Sequence, residues 1–246
     1  MNLVLVAHGT RKQSGVALIA DLAAQVSSTL GRPVRVAFVD VLGPTPAEVL
    51  GATLGQSTVL VPAFLASGFH VRSDIPAHIA ASGHGDVIVT RALGPDPALI
   101  RALVDRLIES GWRPDDSVIL AAAGTSDAAA RRDLHTTATW LSATLGSRVE
   151  LAFAATGEPR ISDAVTALRR PGRRVVVASY LLSEGLFQDR LRASGADVVT
   201  DPLGTHPGVA RLLANRFQRA GFDTNAEMAF QERNFENLPA GMRFRR

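Results

Sequence analysis

Two histidines hold similar places in the sequence, each shortly after an apolar run. His8 follows residues 3–6 (Leu-Val-Leu-Val), and His70 follows residues 59–61 (Val-Leu-Val) and precedes a short helix that we expect to open near Asp74. Apolar runs of this length predict buried strands. Ligands of open α/β sheets bind beyond the carboxyl ends of the strands. We therefore expect both imidazoles at the mouth of one sheet.

A carboxylate completes a possible metal site. Asp40 directly follows the apolar run of residues 34–39, so it also stands at a predicted strand end. Two imidazoles and a carboxylate suit Fe²⁺, Co²⁺, Ni²⁺ or Zn²⁺ with open coordination positions. The imidazoles can also accept protons near neutral pH. The alternative is structural: His8 and His70 would bond to the backbone, and Asp40 would shape the turn before Gly43-Pro44.

The same two loops carry candidate anion-binding groups. Gly9-Thr10-Arg11, at a strand-to-helix turn, offers backbone N–H groups and a guanidinium, although a plain turn with an exposed arginine fits nearly as well. The second loop offers further donors in Ser67, Gly68, Arg72 and Ser73. Three further histidines are predicted to be structural or solvated: His78 on a helix face, His84 in a glycine-rich turn and His206 at a helix cap.

The amino-acid composition limits the kinds of cross-link and metal site that the protein can contain. The 246 residues are 46% hydrophobic and 20% charged, which is typical of a globular protein. The chain has no cysteine, which excludes disulfides, Fe–S clusters and thiolate zinc sites. No apolar run reaches the ~20 residues of a membrane helix, and no signal peptide precedes the first strand, so we expect a soluble cytoplasmic protein without a membrane partner.

The charge balance favours a small anion over nucleic acid. The net charge is +3, with arginines clustered at residues 169–174 and 243–246. No helix-turn-helix, zinc finger or aromatic-basic RNA motif is present, so we expect no nucleic-acid partner. A small molecule carrying several carboxylates suits the bidentate arginine side chain.

The order of elements predicts an α/β fold. Helical apolar spacing covers residues 14–30 and ends at Gly31, and Thr45-Pro46-Ala47-Glu48 is a capping box. Further predicted elements are a short helix over residues 74–81, a strand over residues 87–90 and a helix that starts at Pro97 behind its cap Asp96.

The order of elements then repeats, which indicates a duplicated α/β unit. The clearest match joins Leu93-Gly94-Pro95-Asp96-Pro97 to Leu203-Gly204-Thr205-His206-Pro207. The second half does not keep the polar trio: Ala123, Ala155 and Phe187 stand for His8, Asp40 and His70. We predict one domain over residues 1–113, a second over residues 114–222, and a tail over residues 223–246.

At these positions the sequence resembles the class II chelatases, the CbiX and SirB type of sirohydrochlorin chelatase. The resemblance covers roughly residues 1–221. It is carried by Ala7-His8-Gly9-Thr10-Arg11, Phe38-Val39-Asp40, the segment Pro62-Ala63-Phe64-Leu65-Ala66-Ser67-Gly68-Phe69-His70-Val71-Arg72-Ser73-Asp74-Ile75-Pro76, and Leu93-Gly94-Pro95-Asp96-Pro97.

The resemblance implies two tandem chelatase-like domains, each a small parallel sheet flanked by helices, facing each other across a cleft. It implies ATP-independent insertion of Fe²⁺ or Co²⁺ into sirohydrochlorin, with the metal as substrate and no tightly bound cofactor. His8 and His70 match the pair that holds the metal and takes the pyrrole protons. Asp40 stands where the family more often has glutamate. A monomer is expected, since the two halves replace a homodimer.

Three other hypotheses stay open at this point. The first changes only the metal, because ligand type does not separate iron, cobalt and nickel. The second is a non-catalytic carrier of a tetrapyrrole or metal. The third, a phosphatase that uses His8, lacks an arginine immediately before that histidine.

Overall fold

The first half of the chain forms a four-stranded parallel sheet in the order β2-β1-β3-β4. The computed structural model describes the backbone of residues 1–236 and the side chains of residues 1–221. The strands of this half are β1 (Asn2–Ala7), β2 (Val34–Phe38), β3 (Thr58–Pro62) and β4 (Val87–Val89). Its helices are α1 (Gln13–Leu30), α2 (Pro46–Gly51), α3 (Ile75–Ser82) and α4 (Pro97–Glu109).

The second half repeats this architecture in the order β6-β5-β7-β8, also with parallel pairing throughout. Its strands are β5 (Ser117–Ala122), β6 (Val149–Phe153), β7 (Val175–Tyr180) and β8 (Val198–Val199). Its helices are α5 (Ala128–Leu145), α6 (Ile161–Leu168), α7 (Leu186–Arg192) and α8 (Pro207–Glu236). The predicted α/β fold of two similar units is confirmed.

The central strands are apolar because helices cover both faces of each sheet. Residues 3–7 of β1 and the whole of β3, β5 and β7 are buried. Strands buried on both faces read as continuous apolar runs rather than alternating ones. This explains why the runs of residues 3–6 and 59–61 predicted strands correctly.

Strand register fixes how the halves correspond. Ala7 pairs with Phe38 in the first sheet as Ala122 pairs with Phe153 in the second. The backbone N–H of Asp40 donates to the His8 carbonyl, and that of Ala155 donates to the Ala123 carbonyl. The predicted replacements of His8 by Ala123 and of Asp40 by Ala155 are therefore present in the structure.

The halves exchange their last helices. Helix α4 packs against α5 and β7 of the second half, and α8 packs against α1 and β3 of the first. One apolar core consequently runs through both sheets, from Leu5 to Leu120. Arg216 of α8, which is buried, reaches Asp96 at the start of α4 with a 3.0 Å ion pair. The division at residue 113 follows the chain order and stays a prediction, while the core is common to both halves.

Several predicted helix ends are confirmed. Gly31 ends α1 in the left-handed conformation, Thr45 and Glu48 form both bonds of the capping box, and Asp96 caps α4. The helix after His70 begins earlier than predicted, with a π-helical turn over His70–Asp74 that leads into α3. The helix therefore starts at His70 rather than at Asp74, because Gly68 accepts backbone bonds from Val71 and Arg72.

The predicted tail is only partly described. Helix α8 continues to Glu236, whereas the side chains of residues 222–246 and all of residues 237–246 lie outside the described part of the chain. Among the described residues, no helix has the length and apolarity needed to cross a membrane.

Candidate active site

His8 and His70 lie together at the carboxyl ends of β1 and β3. These two strands are neighbours in the sheet, with Val6 paired to Pro62 at the end of the ladder. The imidazole centroids are 4.5 Å apart, and the ring planes are inclined at 81°. His8 is exposed and His70 is half-buried. The structure thus brings together two side chains that are far apart in the sequence.

Both rings are held through Nδ1. Nδ1 of His8 lies 3.1 Å from the carbonyl oxygen of Gly9, and Nδ1 of His70 lies 2.6 Å from Oδ2 of Asp74. A carbonyl or carboxylate oxygen can only accept, so these contacts assign the ring proton to Nδ1. Each neutral ring then keeps its Nε2 lone pair for a metal ion or a proton.

The π-helical turn positions His70. Residues four apart lie on the same face of a helix, which brings the Asp74 carboxylate to the imidazole. Phe64, which follows β3, stacks on the ring with centroids 5.9 Å apart, and Phe69 contacts it edge-on at 6.3 Å. The ring of His70 is therefore fixed by the hydrogen bond from Nδ1 to the Asp74 carboxylate and by aromatic packing.

Glycine is required immediately after His8. Gly9 has φ +92°, and a Cβ there would lie 2.1 Å from the carbonyl oxygen of Asp40. The backbone N–H of Asp40 in turn donates to the His8 carbonyl at 3.1 Å. The loops after β1 and β2 thus touch backbone to backbone, which a side chain at residue 9 would prevent.

Asp40 lies beside the histidine loop but bonds to its own turn. Its Oδ1 accepts from the N–H of Val41 at 2.7 Å, and Val41 has φ +69°. Within residues 1–221, no three His, Asp or Glu side chains are grouped so as to hold a metal ion. The structure therefore joins two of the three predicted ligands, and the role of Asp40 as third ligand stays a prediction.

The predicted anion-binding residues of the first loop lie immediately before α1. The Thr10 hydroxyl accepts from the N–H of Lys12 at 3.2 Å, which serves the local turn. The Arg11 side chain is exposed and forms no ion pair with the side chains that the structure describes. Arg11 is accordingly available to an anion.

The predicted residues of the second loop contact the other half of the chain. The N–H of Ser67 donates to Asp133 at 2.9 Å, and the Arg72 guanidinium lies 3.2 Å from Asp127. A Cβ on Gly68 would meet Ala130 at 3.7 Å, so α5 packs directly on this loop. The second half thus forms a wall against the loop that carries His70.

Two second-half groups stabilise this wall. Burial raises the pKa of the Tyr180 phenol, which therefore stays protonated and donates to the Leu65 carbonyl at 3.0 Å. Backbone N–H bonds from Ala130 and Ala129, together with the positive charge of Arg72, hold the pKa of Asp127 below its usual value. Asp127 is accordingly an anion with several partners.

The other three histidines singled out in the sequence are structural or peripheral. His84 is buried between backbone carbonyls of Thr53 and Gln56, at 3.2 and 3.1 Å, in its glycine-rich turn. His206 accepts from the N–H of Gly208 and faces Asp105 at 3.2 Å, which confirms its predicted place at a helix cap. His78 is half-buried on α3.

The sequence predicts Asp74 only as a residue that opens a helix, and not as the partner of His70. The signal that could have identified it is the spacing of four residues from His70, which brings the two side chains together once the helix includes both. The second half supports a link between Asp74 and His70, because it has lost both residues together. The backbone N–H of Asp189 donates to the Gly185 carbonyl, as that of Arg72 donates to the Gly68 carbonyl. Equivalent residues of the two halves therefore differ by 117 in number at this point. At this offset Phe187 and Leu191 occupy the positions of His70 and Asp74.

Comparison with known proteins matches both halves. The CbiX family model fits the chain twice, over residues 2–110 and 117–220. A sirohydrochlorin ferrochelatase of Priestia megaterium is 26% identical over 237 residues, which are 88% of this chain and 89% of the relative. A sirohydrochlorin cobaltochelatase of Methanothermobacter thermautotrophicus is 30% identical over 130 residues, which are 44% of this chain and 90% of the relative.

Solved structures share the fold. SirB from Bacillus subtilis with Fe³⁺ superimposes with a TM-score of 0.81 at 19% identity, over 92% of this chain and 98% of the other. A structure of CbiX, described as the terminal enzyme of sirohaem biosynthesis in denitrifying bacteria, gives a TM-score of 0.69 at 22% identity, over 89% and 99%. At these identities the likeness establishes the architecture.

Proposed function

Because the chain belongs to the CbiX family, we propose that it is a sirohydrochlorin chelatase that inserts a divalent metal ion without ATP. The observation that carries the proposal is the pair of His8 and His70, whose ring centroids are 4.5 Å apart and whose Nε2 atoms form no hydrogen bond within residues 1–221. Metallation needs a site for the incoming ion and acceptors for the two pyrrole protons, and two neutral imidazoles offer both.

In this proposal the metal is a substrate and passes through the site. His8 and His70 hold the ion while the macrocycle lies between the two halves, so that metal and ring nitrogens meet without a search in solution. The imidazoles then take the protons that leave the pyrrole nitrogens. Asp40 becomes a ligand only if its carboxylate leaves the N–H of Val41.

The macrocycle carries several carboxylates, and the proposed contacts for them are Thr10, Arg11, Ser67, Gly68 and Arg72. Arginine suits this role because its guanidinium binds a carboxylate through two parallel hydrogen bonds. Arg11 supports the proposal most directly, since it is exposed, follows His8 by three positions and has no ion-pair partner among residues 1–221.

Iron and cobalt are both candidate substrates. The relative that spans most of the chain is a ferrochelatase, and the relative matched over a shorter length is a cobaltochelatase. Imidazole and carboxylate ligands accept either ion. The assay therefore compares the two metals directly.

The test follows the absorbance of anaerobic sirohydrochlorin with Fe²⁺ or Co²⁺, with and without protein. We expect acceleration over the spontaneous rate, and a loss of at least about 100-fold in His8→Ala and His70→Ala, since general base catalysis contributes about 10²–10⁴-fold. His78→Ala, on α3 away from the pair, is the matched control. Binding of sirohydrochlorin without acceleration would assign a carrier role instead.

A further inference from the structure

Two ion pairs cross between the halves from the loops that carry the histidines. Lys12 Nζ lies 2.9 Å from Asp189, and the Arg72 guanidinium lies 3.2 Å from Asp127. Lys12 is the residue before α1, four positions after His8, and Arg72 is two positions after His70. Both bridges therefore belong to the carboxyl ends of the central strands.

The internal repeat relates the two bridges to each other. Lys12 and Asp127 both immediately precede the first helix of their half, and both helices have 18 residues. Arg72 and Asp189 both donate a backbone N–H to the glycine four residues earlier. At each pair of equivalent positions the first half has a cation and the second half has a carboxylate.

This inversion of charge puts every cation of the two bridges on the side of the histidines. The second half has the carboxylates Asp127 and Asp189 in place of these cations. The same half has Ala123 and Phe187 in place of the two histidines. A ligand that carries several carboxylates is attracted by the first set and repelled by the second. Its carboxylates have the same chemistry as the groups that Lys12 and Arg72 already bind.

We propose that Lys12 and Arg72 bind carboxylates of the tetrapyrrole, which displace Asp189 and Asp127 from these cations. The inference rests on the proposed chelatase function and adds Lys12 to the substrate contacts. Asp189 and Asp127 then compete with the substrate for the two cations. When no substrate is bound, the two bridges connect the halves.

The exchange costs little free energy because the bridges are exposed and the released carboxylates keep other hydrogen-bond partners or contact solvent. The side chains of Lys12, Asp189 and Arg72 are each at least half exposed, and such pairs contribute about 0–1 kcal/mol. Asp127 keeps hydrogen bonds from Ala129 and Ala130 at 2.7 and 3.0 Å after Arg72 leaves. Asp189 remains in contact with solvent.

The test measures the dissociation constant of metal-free sirohydrochlorin by absorbance titration. Asp189→Asn removes the competitor and leaves Lys12, so we expect about two- to fivefold tighter binding, while Lys12→Ala and Arg72→Ala bind about two- to fivefold more weakly. Raising the salt concentration should reduce the differences among these variants.

The control is Glu150→Gln, which breaks the Arg148–Glu150 pair at the amino end of β6, whereas the site lies at the carboxyl ends of the strands. This variant should leave the dissociation constant unchanged. Equal or weaker binding by Asp189→Asn would overturn the exchange even if the wild type binds and metallates sirohydrochlorin. A wild type that binds but does not accelerate metallation would overturn the chelatase function alone. A wild type that does not bind would overturn both.

Discussion

His70 Nδ1 and Asp74 Oδ2 lie 2.6 Å apart across a single π-helical turn. The contact fixes the imidazole with Nε2 directed away from the carboxylate, as in the carboxylate–histidine pairs of metal sites. Its counterpart in the second half consists of Phe187 and Leu191, so that half has lost both partners.

Asp74→Asn should lower the rate of metallation at saturating sirohydrochlorin by about 10- to 100-fold, since losing such a partner typically has that effect. The Michaelis constant for sirohydrochlorin should change little, because Asp74 acts on the imidazole and not on the macrocycle. Steady-state assays with Asp21→Asn, an exposed position on α1, provide the control. An unchanged rate would mean that packing by Phe64 is sufficient to orient His70.

Gly9→Ala should destabilise the protein by more than about 2 kcal/mol, since left-handed backbone costs a non-glycine residue about 1–2 kcal/mol and here a Cβ would also overlap the Asp40 carbonyl. Gly31→Ala separates the two effects, because Gly31 has φ +62° but no atom within 4 Å of the added Cβ. Urea unfolding of both variants measures the difference. Equal losses would show that the loop yields to the methyl group.

Tyr180→Phe should cost about 1–2 kcal/mol, because it leaves the partly buried Leu65 carbonyl without its donor. Metallation should also slow, since this bond ties the loop before His70 to the second half. Thr139→Ala removes a hydroxyl that donates to a carbonyl on the exposed side of α5, and its effect should stay within about 0.5 kcal/mol. Chemical denaturation followed by fluorescence would reveal whether the two variants differ.

Asp116 should make stability depend on pH in the acid range. Burial by itself would raise the pKa of Asp116, but hydrogen bonds from the Arg174 guanidinium and the Arg113 backbone outweigh it and lower the pKa. A carboxyl group whose pKa is lowered on folding stabilises the protein at pH values above its pKa in the unfolded chain, which is about 4 for aspartate. This contribution is lost as the pH falls through the pKa of the folded state. Asp116→Asn should therefore be less stable at pH 7 and decline less steeply below about pH 4 than the wild type.

Thermal unfolding between about pH 3 and 7 checks this prediction, with the exposed neighbour Asp115→Asn as control. Parallel curves for Asp116→Asn and the wild type would contradict it.

The sequence alone determined most of the local structure and predicted which residues form the candidate site. The buried strands, the capping box at Thr45 and the left-handed end at Gly31 depend on neighbouring residues, so pattern and propensity predicted them. The repeat also predicted that Ala123 and Phe187 would replace the histidines. These features follow from the period of apolar residues and from backbone hydrogen bonds within a few positions.

Only the tertiary structure decided which side chains meet. The exchange of α4 and α8, the 4.5 Å approach of His8 to His70 and the bridges from Lys12 and Arg72 join residues separated by many positions in the chain. Asp40 shows the limit most clearly: its place after β2 was predicted, but the bond to Val41 depends on side-chain rotation in the folded turn. Such contacts depend on packing between elements, which local sequence patterns do not specify.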